Sequence, residues 1–216
     1  MTKQEFASRL QNACAAVTAA EQELTEIDSR FGDADHGLTM SKIAKAVSAA
    51  AGESEGGIQA MLDDAAMAVM VLNGGSAVPL WNTWLDGLQE EAPEGNEIDT
   101  AGIQAIFAKA LKALSDMSGA KVGDKTMMDA LIPASQAIAA YSGSDEAGLF
   151  DAAAQAALQG AEASKQFVSK FGRAKSYGEQ TIGTPDAGPP PWPISSRGWH
   201  GPERISIDFE REVLHI

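Results

Sequence analysis

Three aspartates, Asp28, Asp33 and Asp35, fall within eight residues of the stretch Ile27-Asp28-Ser29-Arg30-Phe31-Gly32-Asp33-Ala34-Asp35-His36-Gly37-Leu38-Thr39-Met40. Carboxylates this close repel one another unless something positive sits between them. Hard divalent cations resolve that repulsion, and Mg²⁺ in particular takes a few carboxylates together with phosphate oxygens. The competing reading is a helix N-cap, with Asp33 or Asp35 capping a helix that begins near His36. Capping uses one carboxylate and leaves two unexplained.

The elements that must position these residues read as helices. Phe6, Leu10, Cys14 and Val17 recur at spacings of three to four and continue through Leu24, which predicts one helix ending near Ile27. Ile43, Ala46 and Val47 mark a second helix, closed by Gly52 and Gly56-Gly57. Ile58, Met61, Leu62, Ala65 and Val69 mark a third, and Pro79 stands near the first turn of a fourth. Asp99 or Thr100 caps a fifth, which carries Ile103, Ile106, Phe107 and Leu111. A sixth follows Asp124-Lys125-Thr126-Met127-Met128-Asp129, with Pro133 as a candidate kink, and a seventh spans roughly Glu146 to Phe171. Strand-like alternation is confined to Glu203–Val213.

Up-and-down counting places alternate loops at one end of such a bundle. The aspartate loop, the Asn73-Gly74-Gly75-Ser76 loop, the Gly123-Asp124-Lys125-Thr126 loop and the segment Gly172 to Gly188 then share that end. Glycines admit backbone N–H groups close to an anion, and helix N-termini attract it. The implied chemistry is phosphate binding through a metal. Lys125 or Arg173 would neutralise further phosphate charge, although Lys125 also reads as a plain solvated charge. His36 either contacts phosphate or caps a helix, and Met127 and Met128 read as core or as a wall for a purine.

The whole chain agrees with this class. Its 216 residues suit one domain, or one with an appendage. Alanine-rich runs such as Asp151-Ala152-Ala153-Ala154 favour close-packed helices. A net charge of −14 argues against nucleic acid and against a polybasic membrane surface. It also means that an anionic ligand needs cations as a bridge. Cys14 is the sole cysteine and reads as core, so no internal disulfide is expected. With no signal pattern and no long apolar run, the expected location is cytoplasmic.

Together, Gly32-Asp33-Ala34-Asp35-His36-Gly37, Gly123-Asp124-Lys125-Thr126-Met127 with Asp129-Ala130-Leu131-Ile132-Pro133, Gly172-Arg173-Ala174 and Ile182-Gly183 with Asp186 and Gly188 carry a family resemblance. Over residues 1–188 the chain resembles the nucleotide-binding (L) subunit, or C-terminal domain, of dihydroxyacetone kinases (the DhaL type). The resemblance implies an all-α, antiparallel up-and-down barrel of eight helices with ADP or ATP bound at one end. It implies that Asp28, Asp33 and Asp35 bind two Mg²⁺ ions, and that His36, Thr39, Gly74, Gly75, Ser76, Thr126, Met127, Arg173 and Asp186 surround the nucleotide. It further implies a separate K subunit that holds the ketose through a covalent histidine, a role not carried over to His36. In phosphotransferase-linked members a phosphotransferase-system protein recharges bound ADP, and a homodimer is compatible with the family. The expected activity is phosphoryl transfer to a short ketose, inactive without the K subunit. The alternative is a nucleotide-responsive interaction module that binds ADP-Mg without transferring phosphate.

The chain departs from the family in its second loop, Gly74-Gly75-Ser76-Ala77-Val78-Pro79-Leu80, where Ala77 stands for a serine and Val78 for a glycine. Asn82 stands where glycine is common, and Lys175-Ser176-Tyr177-Gly178 differs from the usual Ser-Tyr-Leu-Gly. These changes open the substrate to other short ketoses, such as a tetrulose. From Pro189 to Ile216 the composition turns rich in Pro, Trp and Arg. If the Pro191 codon ends in A, the single Trp192 codon supplies an ATG across the junction. Synonymous codons through His200 then let the neighbouring frame read Met-Ala-Asn-Leu-Val-Glu-Gly-Leu-Ala, an amphipathic helix. Residues 189–216 are therefore read as an atypical tail, either frameshifted or a divergent extension.

Overall fold

The computed structural model describes residues 1–185. Eight α-helices follow one another: α1 Lys3–Ala19, α2 Glu21–Asp28, α3 His36–Glu53, α4 Ile58–Met70, α5 Ala77–Gln89, α6 Thr100–Ser118, α7 Met128–Ala140 and α8 Glu146–Ser164. A 3₁₀ segment, Arg173–Thr181, ends the described chain. Among the described residues the only β pairing is an isolated bridge between Thr2 and Glu97. From α3 onward each helix packs on its sequence neighbour, and α1 packs on α3, which makes an all-α up-and-down bundle. No helix among the described residues is long and apolar enough to cross a membrane.

The apolar stripes meet in one core. Trp81, Trp84, Phe107 and Phe150 are fully buried at its centre, and Cys14 is buried with them. Trp84 meets Phe107 edge-on at 5.8 Å, and Phe107 meets Phe150 at 6.2 Å. Small residues let the helices close in. A Cβ on Gly160 would lie 2.0 Å from the Asp129 carbonyl oxygen, so α8 touches the α7 backbone directly. Asn82, where the family favours glycine, donates from Nδ2 to the Ala66 carbonyl at 2.9 Å and ties α5 to α4.

Two helix boundaries differ from expectation. The first predicted helix breaks at Ala20 into α1 and α2. Thr18 and Thr25 hydroxyls donate to carbonyls four residues back, at Cys14 and Glu21, which favours bending. Gly37 presses on the Glu21 carbonyl at the same place. The predicted helix to Phe171 stops at Ser164, whose carbonyl accepts from the Lys125 ammonium. The eighth helix of the resemblance, the tail from residue 189 and the alternation at 203–213 lie outside the described residues. The eight described helices arise instead from the break at Ala20.

Candidate functional site

Three helices begin at one end of the bundle: α3 after the aspartate loop, α5 after the Gly74-Gly75 loop and α7 after the Gly123–Thr126 loop. Their N-termini face a cleft of about 450 Å³ lined by Asp28, Asp33, Asp35, His36, Thr39, Gly75, Ser76, Thr126, Met127 and Arg173. The N-cap side chains of α3, α5 and α7 (Asp35, Ser76 and Met127) make no cap hydrogen bond. Asp35 occupies the expected N-cap position, so the capping reading fails for its side chain. The α3 N–H of His36 instead reaches Asp28 Oδ2 at 3.4 Å, and the α7 N–H of Met128 reaches the Thr126 hydroxyl at 3.2 Å.

One oxygen from each of Asp28, Asp33 and Asp35 lies within 4.8 Å of the others. Asp28 is half-buried at the end of α2, while Asp33 and Asp35 are exposed. Ala34 between them holds φ 61°, a left-handed turn that brings the flanking carboxylates together. Gly32 is required there, since a Cβ would fall 1.9 Å from Asp28 Oδ1. The donor set is all carboxylate oxygen, with neither thiol nor imidazole, and so fits a hard cation such as Mg²⁺.

The third loop is organised from below by Asp129, fully buried in the first turn of α7. Its Oδ1 accepts from Gly123 N–H at 2.6 Å and its Oδ2 from Thr126 N–H at 2.7 Å. The spacing Thr126-x-x-Asp129 is that of a capping box, the sequence signal that would have revealed this role. Lys125 corrects one expectation. It is not a solvated charge: it lines the cleft yet is 4% exposed, and its Nζ donates to the carbonyls of Ser164 at 2.9 Å and Thr184 at 2.7 Å. Its backbone is left-handed, with φ 57°. It buckles the third loop to the end of α8 and to the close of the fourth loop.

The fourth loop crosses the cleft. Lys170 pairs with Asp124 at 2.7 Å, and this bond, with the Lys121 N–H, holds the Asp124 carboxyl below the usual carboxylate range. Arg173 pairs with Asp33 at 2.6 Å, and Phe31 meets Tyr177 with ring centres 5.1 Å apart. Phe31, Leu80, Trp81 and Phe171 also line the cleft. The sequence reading did not single them out, although Phe31 and Phe171, aromatics in glycine-rich loops of an aromatic-poor chain, are a usable signal. In the second loop Ser76 and Ala77 face the cleft. Val78 is buried, and a Cβ on Gly74 would meet Val78 and Thr39. Gly74 therefore supports the loop from behind, and Val78 points into the core rather than over the cleft. Met127 lines the cleft while Met128 is wholly core. Asp186 lies outside the described residues.

Comparison with known proteins places this arrangement. The chain is 36% identical over 178 residues to the D-erythrulose kinase of Mycolicibacterium smegmatis, an alignment that covers 80% of this chain and 31% of that protein. It is 28% identical over 187 residues to the PEP-dependent dihydroxyacetone kinase 2, ADP-binding subunit DhaL, of Listeria innocua, covering 85% and 87% of the two chains. The chain spans about a third of the length of the erythrulose kinases it matches. Its fold superposes on the dihydroxyacetone kinase from C. freundii, crystallised with AMP-PNP and Mg²⁺, with a TM-score of 0.62 at 20% identity, over 89% of this chain and 32% of that one. Residues 30–189 match the DAK2 domain model, and with the four loops gathered on one cleft the chain belongs to the DAK2 domain family as a DhaL-type domain.

Proposed function

We propose that this chain is the Mg²⁺-dependent, ADP- or ATP-binding, phosphoryl-transferring component of a short-chain ketose kinase. It works with a separate ketose-binding K subunit or domain. The observation that carries this reading is the meeting of three helix N-termini, unbonded to their own N-cap side chains, with three carboxylates on one cleft. Helix N-termini attract phosphate, and carboxylates repel it unless cations intervene. The pair of features therefore suits a metal–phosphate ligand better than either component alone.

In this reading Asp28, Asp33 and Asp35 hold two Mg²⁺ ions. A cation held by these carboxylates would supply positive charge to offset that of the phosphates. Gly75, Ser76 and the first turn of α5 receive phosphate through backbone N–H groups. Ser76 supplies the hydroxyl that Ala77 lacks. Thr126, His36 and Thr39 flank the ligand, and Arg173 offers a planar fork for phosphate oxygens. Met127 and Leu80 form an apolar wall for the base. Asp129 holds the third loop in place from below, and Lys125, at the wall of the cleft, ties that loop to α8 and to the fourth loop. Transfer of this kind rests on positioning and charge stabilisation rather than on a protein nucleophile.

The acceptor is dihydroxyacetone or a tetrulose. Relatives named as D- and L-erythrulose kinases support the tetrulose. Relatives named as PEP-dependent ADP-binding subunits support a version in which bound ADP is recharged by a phosphotransferase-system donor. The alternative in which ATP exchanges each turnover uses the same residues. The cytoplasm is the proposed location, and a homodimer is compatible with the reading. A second reading, a nucleotide-responsive module that transfers no phosphate, draws on Ala77 and Val78 in the second loop.

The first test is the melting temperature of the purified chain with Mg²⁺, with ADP and with both. A ligand that binds only the folded state raises it by mass action. A shift that needs both components and disappears in Asp33→Ala supports the site. No shift, with no nucleotide released on denaturation, overturns it. Adding a K subunit and a ketose panel then separates the two readings, because a binding module yields no sugar phosphate.

A further inference from the structure

The fourth loop has a fixed base and a lightly held tip. At the base, Lys125 Nζ binds the Ser164 and Thr184 carbonyls, the Ser169 N–H donates to the Thr181 hydroxyl at 3.0 Å, and Gly183 N–H donates to the Lys165 carbonyl at 2.7 Å. The tip, Arg173 to Tyr177, is bracketed by Gly172 at φ 60° and Gly178 at φ 54°. A Cβ at either glycine would meet nothing within 4 Å, so both joints stand in open space. The tip meets the aspartate loop through the Arg173–Asp33 ion pair and the Phe31–Tyr177 ring contact.

We propose that Arg173 is a built-in counter-ion that competes with the divalent cation for Asp33, so that cation binding releases the 173–177 tip for the nucleotide. This rests on the metal reading given above. The guanidinium satisfies one of three mutually repelling carboxylates while the cation is away. A cation and a guanidinium on the same carboxylate repel each other, so each weakens the other's hold. The Arg173 side chain is 71% exposed, and an exposed ion pair is weak enough to be displaced. Once released, the fork is free for phosphate oxygens. The two glycines let the tip turn while the base stays anchored. Arg173 is thus a positioning residue that couples metal occupancy to the lid over the cleft.

The test is Mn²⁺ titration of nucleotide-stripped chain, read by the electron-spin signal of free Mn²⁺, for the wild type, Arg173→Ala, Arg173→Lys and Asp33→Asn. Hydrogen exchange across residues 165–184 accompanies it. Arg173→Ala should bind Mn²⁺ about two- to five-fold more tightly than wild type, the range that losing an exposed pair allows. Arg173→Lys should fall between them. Mn²⁺ should raise exchange in the wild-type tip but leave the base unchanged. Equal or weaker Mn²⁺ binding in Arg173→Ala, with binding still weakened by Asp33→Asn, overturns the competition while the metal site stands. No Mn²⁺ binding in either wild type or Arg173→Ala overturns the metal site itself, and the competition with it.

Discussion

The four helices that begin at the end of the bundle away from the cleft all have their first N–H groups satisfied. Thr2 and Glu5 form a reciprocal capping box on α1, Asp99 caps α6 through Gly102 N–H, and Asp145 caps α8 through Gly148 N–H. The start of α4 donates to the Gly95 and Pro93 carbonyls. Lys3 Nζ binds the Ser54 and Gly56 carbonyls, and the N-terminal ammonium pairs with Glu146 at 2.8 Å. At the cleft end the N-cap side chains of α3, α5 and α7 make no such bond, and the first N–H of α3 and of α7 is met instead by Asp28 and Thr126. One end closes the fold with its own caps, whereas the other draws on residues that also line the cleft. Crowded carboxylates of this kind lower stability locally and are found where a ligand completes the structure.

Mutations at the two ends should therefore separate affinity from stability. The largest effect is expected for Asp33→Ala: Mg²⁺-dependent ADP affinity falls about 100-fold, as for loss of a metal ligand. Calorimetric titration should show this, while the melting temperature without ligand stays level or rises as repulsion is relieved. Next, Lys125→Met should cost about 2 kcal/mol of stability, because a buried and a half-buried carbonyl lose a charged donor. Protease cleavage within residues 165–184 should quicken. If affinity fell with no change in melting, Lys125 would be a ligand contact and the buckle would be wrong.

A pair of glycines sharpens the contrast. A Cβ on Gly57 would lie 1.9 Å from the Glu94 carbonyl oxygen, so Gly57→Ala should cost about 1–3 kcal/mol by overpacking and spare affinity. A Cβ on Gly75 meets nothing within 4 Å, so Gly75→Ala should spare stability and weaken nucleotide binding. Denaturant melts alongside titrations would expose the reverse pattern. Asp99→Ala, a far-end cap, should cost about 1 kcal/mol with no change in affinity.

The smallest effect concerns pH. Asp124 is held below the usual carboxylate range by Lys170, so its contribution is present above the ordinary carboxylate pKa and lost as pH falls through the depressed value. At the other end Glu146 is lowered chiefly by its hydrogen bond from the N-terminal ammonium. Both ends should therefore weaken in acid. Lys170→Ala should flatten only the cleft-end part, visible as slower acid-induced gain in proteolysis of the fourth loop relative to wild type.

Much of this site was legible because its chemistry is local. Asp28, Asp33 and Asp35 sit within one turn-rich stretch, so their spacing alone announced crowded charge. Helical periodicity located the helices, and parity of helix count put the four loops at one end. The break at Ala20 and the stop at Ser164 were hidden because continuous apolar spacing continues past both points. The role of Lys125 was hidden because a lysine in a glycine-rich loop looks the same in sequence whether solvated or buried. Its partners, the Ser164 and Thr184 carbonyls, carry no side-chain signature.

By itself the sequence determined an all-α chain, the order of its loops and the residue types of an acidic, glycine-rich site, since these follow from periodicity, turn chemistry and composition. Only the tertiary structure decided which charges meet. It set Arg173 on Asp33, buried Lys125, turned Val78 inward and gave the first N–H groups of α3 and α7 to Asp28 and Thr126 rather than to their N-cap side chains. Those choices depend on distances between segments far apart in the chain, which packing establishes and local sequence does not encode.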